Sequence, residues 1–320
     1  MLTYGPVPSR RLGRSLGVSL IPRKTCTYSC VYCQLGRTSR LQVDRESFFS
    51  REKALSEIQN QVSKSDADFI TFVGDGEPTL SMDLGWLIRN CKHITDKPVA
   101  VITNGSLLFL SEVRNALMDA DVVIPSLDAG SEAIFETIDR PHGSIEFDTM
   151  LQGQSDFRNE YSGQIWLEVM LVHNTNDTET ALSDIRKGIN QIQPDRVYIA
   201  TPIRPPAESW VKPPRPERII RAQEILGKSV TIDDMELGEF GVESFANAYQ
   251  ALLEIGCRHP LRLEQGREIE RRFSERGTID RMIAEEALFR VSYNNIQYLL
   301  PGHFILGKKK QQDGGSHERN

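Results

Sequence analysis

Apolar residues along this chain fall first into short blocks and then into spaced series. The short blocks are Gly17–Pro22, Phe69–Val73, Pro98–Thr103, Asp121–Leu127, Ile165–Val172 and Arg196–Ala200. A run such as DVVIPSL leaves no polar face, which predicts strands buried on both sides in a parallel sheet. Between the blocks, apolar positions recur at helical spacing. Glu46–Lys64 puts Ala54, Leu55, Ile58 and Val62 on one face, and Leu110–Met118 and Thr180–Ile192 follow the same rule. Six strands alternating with helices predict a parallel α/β sheet or barrel, in which ligands bind at the carboxyl ends of the strands.

The alternation reads as ending near residue 200. Thr201–Glu217 holds six prolines and predicts an extended linker or ordered strap, so that a core over 1–205 is followed by a Pro-rich linker over 206–240. A helical region follows over 241–306. Val242–Ile255 puts Phe245, Tyr249, Leu252 and Leu253 on one face, and Leu261–Phe273 is a strongly charged second helix. Thr278 is suited to cap a third, Ile279–Arg290. VSYNNIQYLL then alternates around Asn294-Asn295, a pair that tolerates the positive φ angles of a tight hairpin. Three helices and a hairpin predict a small winged-helix-like domain. Its Ile255–Leu300 stretch carries eight basic and seven acidic residues, too balanced to neutralise phosphates, which favours a structural or protein-contact role. Residues 307–320 read as a disordered tail.

Composition narrows the class. Of 320 residues, 39% are hydrophobic and 26% charged, as in a soluble globular protein. The net charge of −6 argues against a generally basic nucleic-acid binder but not against a local basic patch. No apolar run approaches the roughly 18 residues of a membrane helix, and the N-terminus lacks the apolar core of a secretory signal. A cytoplasmic location follows as the expectation. Charge is segregated at the start: no acid precedes Asp44, while Arg10, Arg11, Arg14, Arg23, Lys24, Arg37 and Arg40 do. Such a stretch is either a solvated arm or a surface that neutralises an anion.

The cysteines lie inside that basic stretch. Cys26, Cys30 and Cys33 have the spacing C-x3-C-x2-C, close enough on one loop to face a single metal centre. Thiolates select zinc or iron–sulfur. Structural zinc wants four closed ligands, and no second cysteine knuckle exists, because Cys91 and Cys257 are isolated and read as buried structural thiols. A four-iron cluster on three cysteines would keep one iron open.

Polar groups recur at the other strand ends. Gly74-Asp75-Gly76-Glu77-Pro78 follows the second block, where glycines let a ligand approach the backbone and Glu77 can pair with an ammonium group. An ordinary strand-to-helix turn uses the same residues. Asn104 follows the third block, and Ser126 and Asp128 the fourth; these suit ribose hydroxyls or a carboxylate, or equally helix caps. Glu168, within apolar WLEVMLV, must point into a polar cavity or be paired. His173 reads as structural, and Val197–Ile199 as core or as a wall against an adenine.

The cysteine spacing, with Tyr32 just before the last cysteine, resembles that of the radical S-adenosylmethionine (SAM) superfamily. The opening GPVPSRRLGRSLGVSLIPRKTCTYSCVYCQLGRT further resembles a largely uncharacterised family related to tRNA wyosine-synthesis enzymes. The resemblance implies a partial (β/α)6 barrel and an enzyme. It implies a [4Fe–4S] cluster on Cys26, Cys30 and Cys33, with SAM chelating the open iron and cleaved to a 5′-deoxyadenosyl radical that takes hydrogen from a substrate. Gly74, Gly76, Glu77 and Pro78 match the family's SAM-binding GGEP motif, with Asp75 departing from its second glycine. Tyr32, Asn104, Ser126 and Asp128 stand where SAM contacts are expected. An external one-electron donor of flavodoxin or ferredoxin type is required. RNA is a candidate substrate; a protein or cofactor precursor is another. An iron–sulfur sensor that binds nucleic acid through the winged helix is the non-enzymatic alternative.

Overall fold

The chain opens with two paired strands, β1 (Thr3–Ser9) and β2 (Gly13–Val18), of which sequence periodicity shows only the end of the second. In β1, Pro6 and Pro8 mask the pattern, and they are tolerated because β1 is an edge strand, antiparallel to β2. β2 starts four residues before the expected block. Its Ser15 is buried and hydrogen-bonds Thr71 Oγ1 at 2.6 Å, so a polar residue occupies a core position. The computed structural model describes residues 1–232 and 238–302; the expected tail, 307–320, lies outside them.

After β2 come two short strands, β3 (Thr25–Cys26) and β4 (Arg40–Leu41), and then helix α1 (Arg51–Val62), capped by Ser50. The chain continues through β5 (Phe69–Phe72), a 3-10 turn (Pro78–Leu80), α2 (Leu84–Ile94), β6 (Val99–Thr103), α3 (Ser111–Leu117) and β7 (Val122–Pro125). Next are α4 (Glu132–Ile138), α5 (Phe147–Glu160), β8 (Gln164–Met170), α6 (Glu179–Ile192) and β9 (Arg196–Ala200). The main sheet has the order β1-β2-β5-β6-β7-β8-β9, extended by one further strand, and every pair after β1–β2 is parallel. This is the open α/β sheet of a partial (β/α)6 barrel.

The alternation does not end near residue 200. After the Pro-rich strap, α7 (Pro216–Leu226) and β10 (Ser229–Thr231) add one more unit, with β10 parallel to β9. Pro216 is the reason this helix is hard to see. It looks like part of the strap, yet it stands at the first helical position, where a missing N–H costs nothing.

The last segment forms α8 (Ala248–Gly256), β11 (Leu261–Arg262), α9 (Leu263–Phe273), α10 (Thr278–Ala284), β12 (Leu288–Tyr293) and β13 (Ile296–Pro301), with sheet order β11-β13-β12. Asn294 and Asn295 both have positive φ, as the hairpin requires. The expected third helix is shorter than Ile279–Arg290 because Leu288 already enters β12.

Two apolar cores cover the outer face of the sheet, and a third fills its interior with Leu12, Ile124, Trp166 and Tyr198 among others. A further core belongs to the C-terminal segment, and Tyr4 and Val7 of β1 are part of it. β1 therefore joins the two parts of the molecule.

Candidate active site

The cysteine loop leaves β2 and is fastened at its start and its centre by backbone. At its start, Thr25 bridges Gly76 in parallel; Lys24 N donates to Asp75 O (2.6 Å) and Glu77 N to Thr25 O (3.2 Å). A side chain at position 76 would put its Cβ 1.7 Å from Thr25 O, so only glycine permits this approach. At its centre, Ser29 N and Val31 N donate to Asp139 O and Ile138 O at the end of α4. Two tight turns follow, Cys33 N to Cys30 O and Gly36 N to Cys33 O.

The fastened loop presents all three cysteines to one cavity of about 300 Å³. Tyr28, Tyr32, Gly74, Asp75, Gly76, Met170 and Glu168 also line it, with Arg10, Arg11, Lys24 and Arg204. It opens at the carboxyl ends of the strands, as the fold class predicts. The thiols are half-buried. Burial, reinforced by nearby acids, pushes Cys26 up to about 12 and Cys30 well above the ordinary thiol range; Cys33 rises by burial too. They are protonated in the metal-free chain and would ionise on binding a metal. Asn104 Nδ2 donates to Cys26 Sγ at 3.7 Å, a contact that suits a metal-bound thiolate.

Among the described residues no three His, Cys, Asp or Glu side chains converge on a single ion. A [4Fe–4S] cluster makes a different demand: each cysteine binds a different iron at a separate corner, with room between them. Three free thiols around one cavity meet that demand, and a mononuclear zinc site is not assembled here.

The expected SAM-contacting residues divide into two groups. Tyr32, Gly74 and Gly76 line the cavity, whereas Glu77, Pro78, Asn104, Ser126 and Asp128 are not among its lining residues. Glu77 is buried and its carboxylate is engaged. Oε1 accepts from Thr79 N, Thr79 Oγ1 and Thr103 Oγ1, and Oε2 from Asn104 N. It thereby caps the 3-10 turn that Pro78 begins and ties the ends of β5 and β6 together. Burial raises its pKa and these donors oppose the rise. Ser126 bridges Glu168 through backbone. Asp128 accepts from Tyr32 OH and from Met170 N (2.7 Å), holding the cysteine-loop tyrosine in place. Asp128 faces a second buried acid, Asp139. Burial pushes Asp128 up to about 6, and burial with the charge of Asp128 pushes Asp139 well above the carboxylate range.

Glu168 lines the cavity and pairs with Arg11, so both outcomes expected of a carboxylate in an apolar strand occur together. His173 pairs with Asp177 away from the cavity. Tyr198 packs edge-on against Trp166 in the interior core. The sequence reading missed Arg204, which sits in the Pro-rich strap. Its position just after β9, at a carboxyl strand end, was the available signal.

The basic N-terminal stretch is not a displayed arm. Five of its seven cations pair with carboxylates from later in the chain: Arg11–Glu168, Arg14–Asp66, Arg23–Asp75, Arg37–Glu208 and Arg40–Glu46. Arg10 and Lys24 line the cysteine cavity.

The model of the Radical SAM superfamily matches residues 20–184. This chain belongs to the radical SAM superfamily. It is an enzyme, and a [4Fe–4S] cluster and SAM are its cofactors. The UPF0026 protein of Methanocaldococcus jannaschii is 35% identical over 92% of this chain and 94% of its own length. GTPase Obg of Brachyspira hyodysenteriae is 43% identical over 72% of this chain. The match spans only 34% of that relative's length. Among solved structures, a radical SAM methyltransferase from Sphaerobacter thermophilus shares the fold, with a TM-score of 0.51 and 15% identity over 68% of this chain and 65% of that one. Radical SAM enzymes take their electron from an external donor. No described helix is long and apolar enough to cross a membrane.

Proposed function

We propose that Cys26, Cys30 and Cys33 hold the cluster and that SAM lies across Gly74, Asp75 and Gly76 with its substrate beyond. The observation that carries this reading is that the three cysteines and the glycine loop line one cavity. The bound group supplies one chemistry: reductive cleavage of SAM to methionine and a 5′-deoxyadenosyl radical, which takes a hydrogen atom from the substrate. The chain's own contributions are positional. Backbone carbonyls of the glycine loop receive the amino group of SAM, and Glu77 holds that loop from behind. Tyr32, fixed by Asp128, closes the cavity beside the cysteines. Met170 and Ile102 give apolar walls that keep water from the reacting centre.

A flavodoxin or ferredoxin serves as the electron donor, since no second cysteine cluster is present in the sequence to relay electrons. The reactants and the buried unpaired thiols Cys91 and Cys257 suit the reducing cytoplasm. We assign the barrel to the residues through β10 and a winged-helix-like unit to those from 241, on the order and pairing of its strands. The sensor reading has little support there. Arg271 pairs with Glu268, and Arg272 with Glu243 and Glu239, so two of the arginines of α9 are already engaged by carboxylates. RNA as substrate loses its main support in the same way, because most of the basic stretch is internally paired.

The test is anaerobic 5′-deoxyadenosine production after reconstitution with iron and sulfide, using SAM and dithionite. The parent should form deoxyadenosine, and the Cys26→Ala, Cys30→Ala, Cys33→Ala variant should not. A parent that takes up neither iron nor SAM would overturn the reading.

A further inference from the structure

Asn104 follows β6, at a strand end where a SAM contact is expected, yet it is not among the residues lining the cavity. Its side chain reaches the cysteine loop instead, and its orientation is fixed on several sides. Asn104 N donates to Glu77 Oε2 (2.8 Å), and Asn104 Oδ1 accepts from Ser106 N (3.0 Å). With the oxygen committed to a backbone N–H, the amide nitrogen must face the other way. Nδ2 donates to Thr27 Oγ1 at 2.7 Å and to Cys26 Sγ at 3.7 Å. Thr27 Oγ1 shares a further hydrogen bond with Ser106 Oγ at 2.7 Å, and both of these residues are fully buried.

A turn that starts the loop after β6 accounts for the Oδ1 contact but not for Nδ2. The second contact belongs to the sulfur. Backbone N–H groups of Tyr28 and Thr27 also donate to Cys26. The surroundings of Cys30 have the opposite character, with Asp139 and Asp128 close by. A thiol is a weak acceptor, whereas an iron-bound thiolate carries charge and accepts more strongly. The donors around Cys26 therefore suit the charged form of this sulfur better than the free thiol.

We propose that Asn104 sets the reduction potential of the cluster: its Nδ2–H draws charge from the Cys26 sulfur and makes one-electron reduction by the external donor easier. This rests on the proposed function, because it needs a cluster on Cys26, Cys30 and Cys33. Reduction adds one negative charge, so a donor aimed at a ligand sulfur stabilises the reduced state more than the oxidised one. Asn104 thus serves a ligand of the cluster rather than SAM.

An EPR-monitored redox titration of the reconstituted full chain tests this, with iron and sulfide analysis of every sample. Asn104→Ser keeps an oxygen acceptor for Ser106 N but is too short to reach the sulfur. Asn104→Asp keeps the acceptor and the shape, and replaces the donor with a carboxylate. At a fixed solution potential, the ratio of reduced to oxidised cluster should fall about three- to ten-fold in Asn104→Ser, part of what a hydrogen bond to a charged group contributes. Ten-fold is about 59 mV for one electron. Asn104→Asp should move further in the same direction. Iron content and SAM retention in equilibrium dialysis should match the parent in both. If one variant does not fold, the other carries the comparison.

An unchanged potential in variants that hold the cluster overturns the proposal, as does a shift toward easier reduction. Loss of SAM retention at an unchanged potential overturns it too, and returns Asn104 to the cofactor. A folded Asn104→Ser chain that takes up no iron would make the residue a structural part of the loop instead. A parent without iron would overturn the proposed function, and this assignment with it; iron analysis separates that outcome before any potential is read.

Discussion

Asp75 of the glycine loop and Arg258 at the end of α8 form a buried ion pair, Nε to Oδ2 at 2.9 Å, across 183 positions of sequence. Their side chains are only 5% and 6% exposed. Arg258 also donates to Met1 O (3.0 Å) and lies over the Tyr4 ring. The one departure from the family's glycine motif is therefore the point at which the C-terminal unit grips the loop that approaches the cysteines.

Breaking that pair removes the nearest partner of a buried charge, leaving Arg258 with Glu254 or Asp75 with Arg23. Asp75→Gly, which restores the commoner residue, should cost about 1–3 kcal/mol in denaturant unfolding. Arg258→Met should cost a similar amount. The double variant should cost clearly less than the two together, and a strictly additive cycle would show the pair to be uncoupled.

Only the clustered cysteines should matter for iron. Single changes Cys26→Ala, Cys30→Ala or Cys33→Ala should each remove most of the iron and sulfide retained after reconstitution. Cys91→Ala and Cys257→Ala should retain it, because both thiols are buried in packing and pushed up, to about 12 and about 11.

Gly76→Ala tests the close approach of two backbones. The added methyl meets Thr25 O, so the bridge that sets the start of the cysteine loop must open. A stability loss of roughly 2 kcal/mol is expected, with reduced cluster occupancy in a chain that still folds. Wild-type occupancy would show that this bridge does not position Cys26.

The Asp128–Asp139 pair gives the metal-free chain a pH signature. Both acids are raised, so the folded chain keeps protons that the unfolded chain has released above about pH 4. Stability should be highest below that pH for this pair, and fall by roughly 1–3 kcal/mol as pH rises through about 6. Asp139→Asn should flatten the slope between pH 4 and 7 in urea titrations; an unchanged slope would assign it elsewhere.

Legibility in the sequence followed distance along the chain. The five strands β5 to β9 were readable because burial on both faces leaves largely apolar runs, whereas only the end of β2 was. The cysteine site was readable because its three ligands lie within eight residues. β1 and α7 were hidden by prolines that are harmless at a sheet edge and at a helix's first position. The role of Asp75 was hidden because its partner, Arg258, is remote. Glu77 was found by motif, but its engagement with Thr79, Thr103 and Asn104 comes from three-dimensional packing.

The placement of β1 also orders assembly in time. Its inner edge pairs with β2, which is synthesised within moments, but Tyr4 and Val7 find their apolar neighbours in helices made some 240 residues later. Until α8 and α9 leave the ribosome, this face of the nascent chain stays uncovered, and a chaperone has cause to visit it.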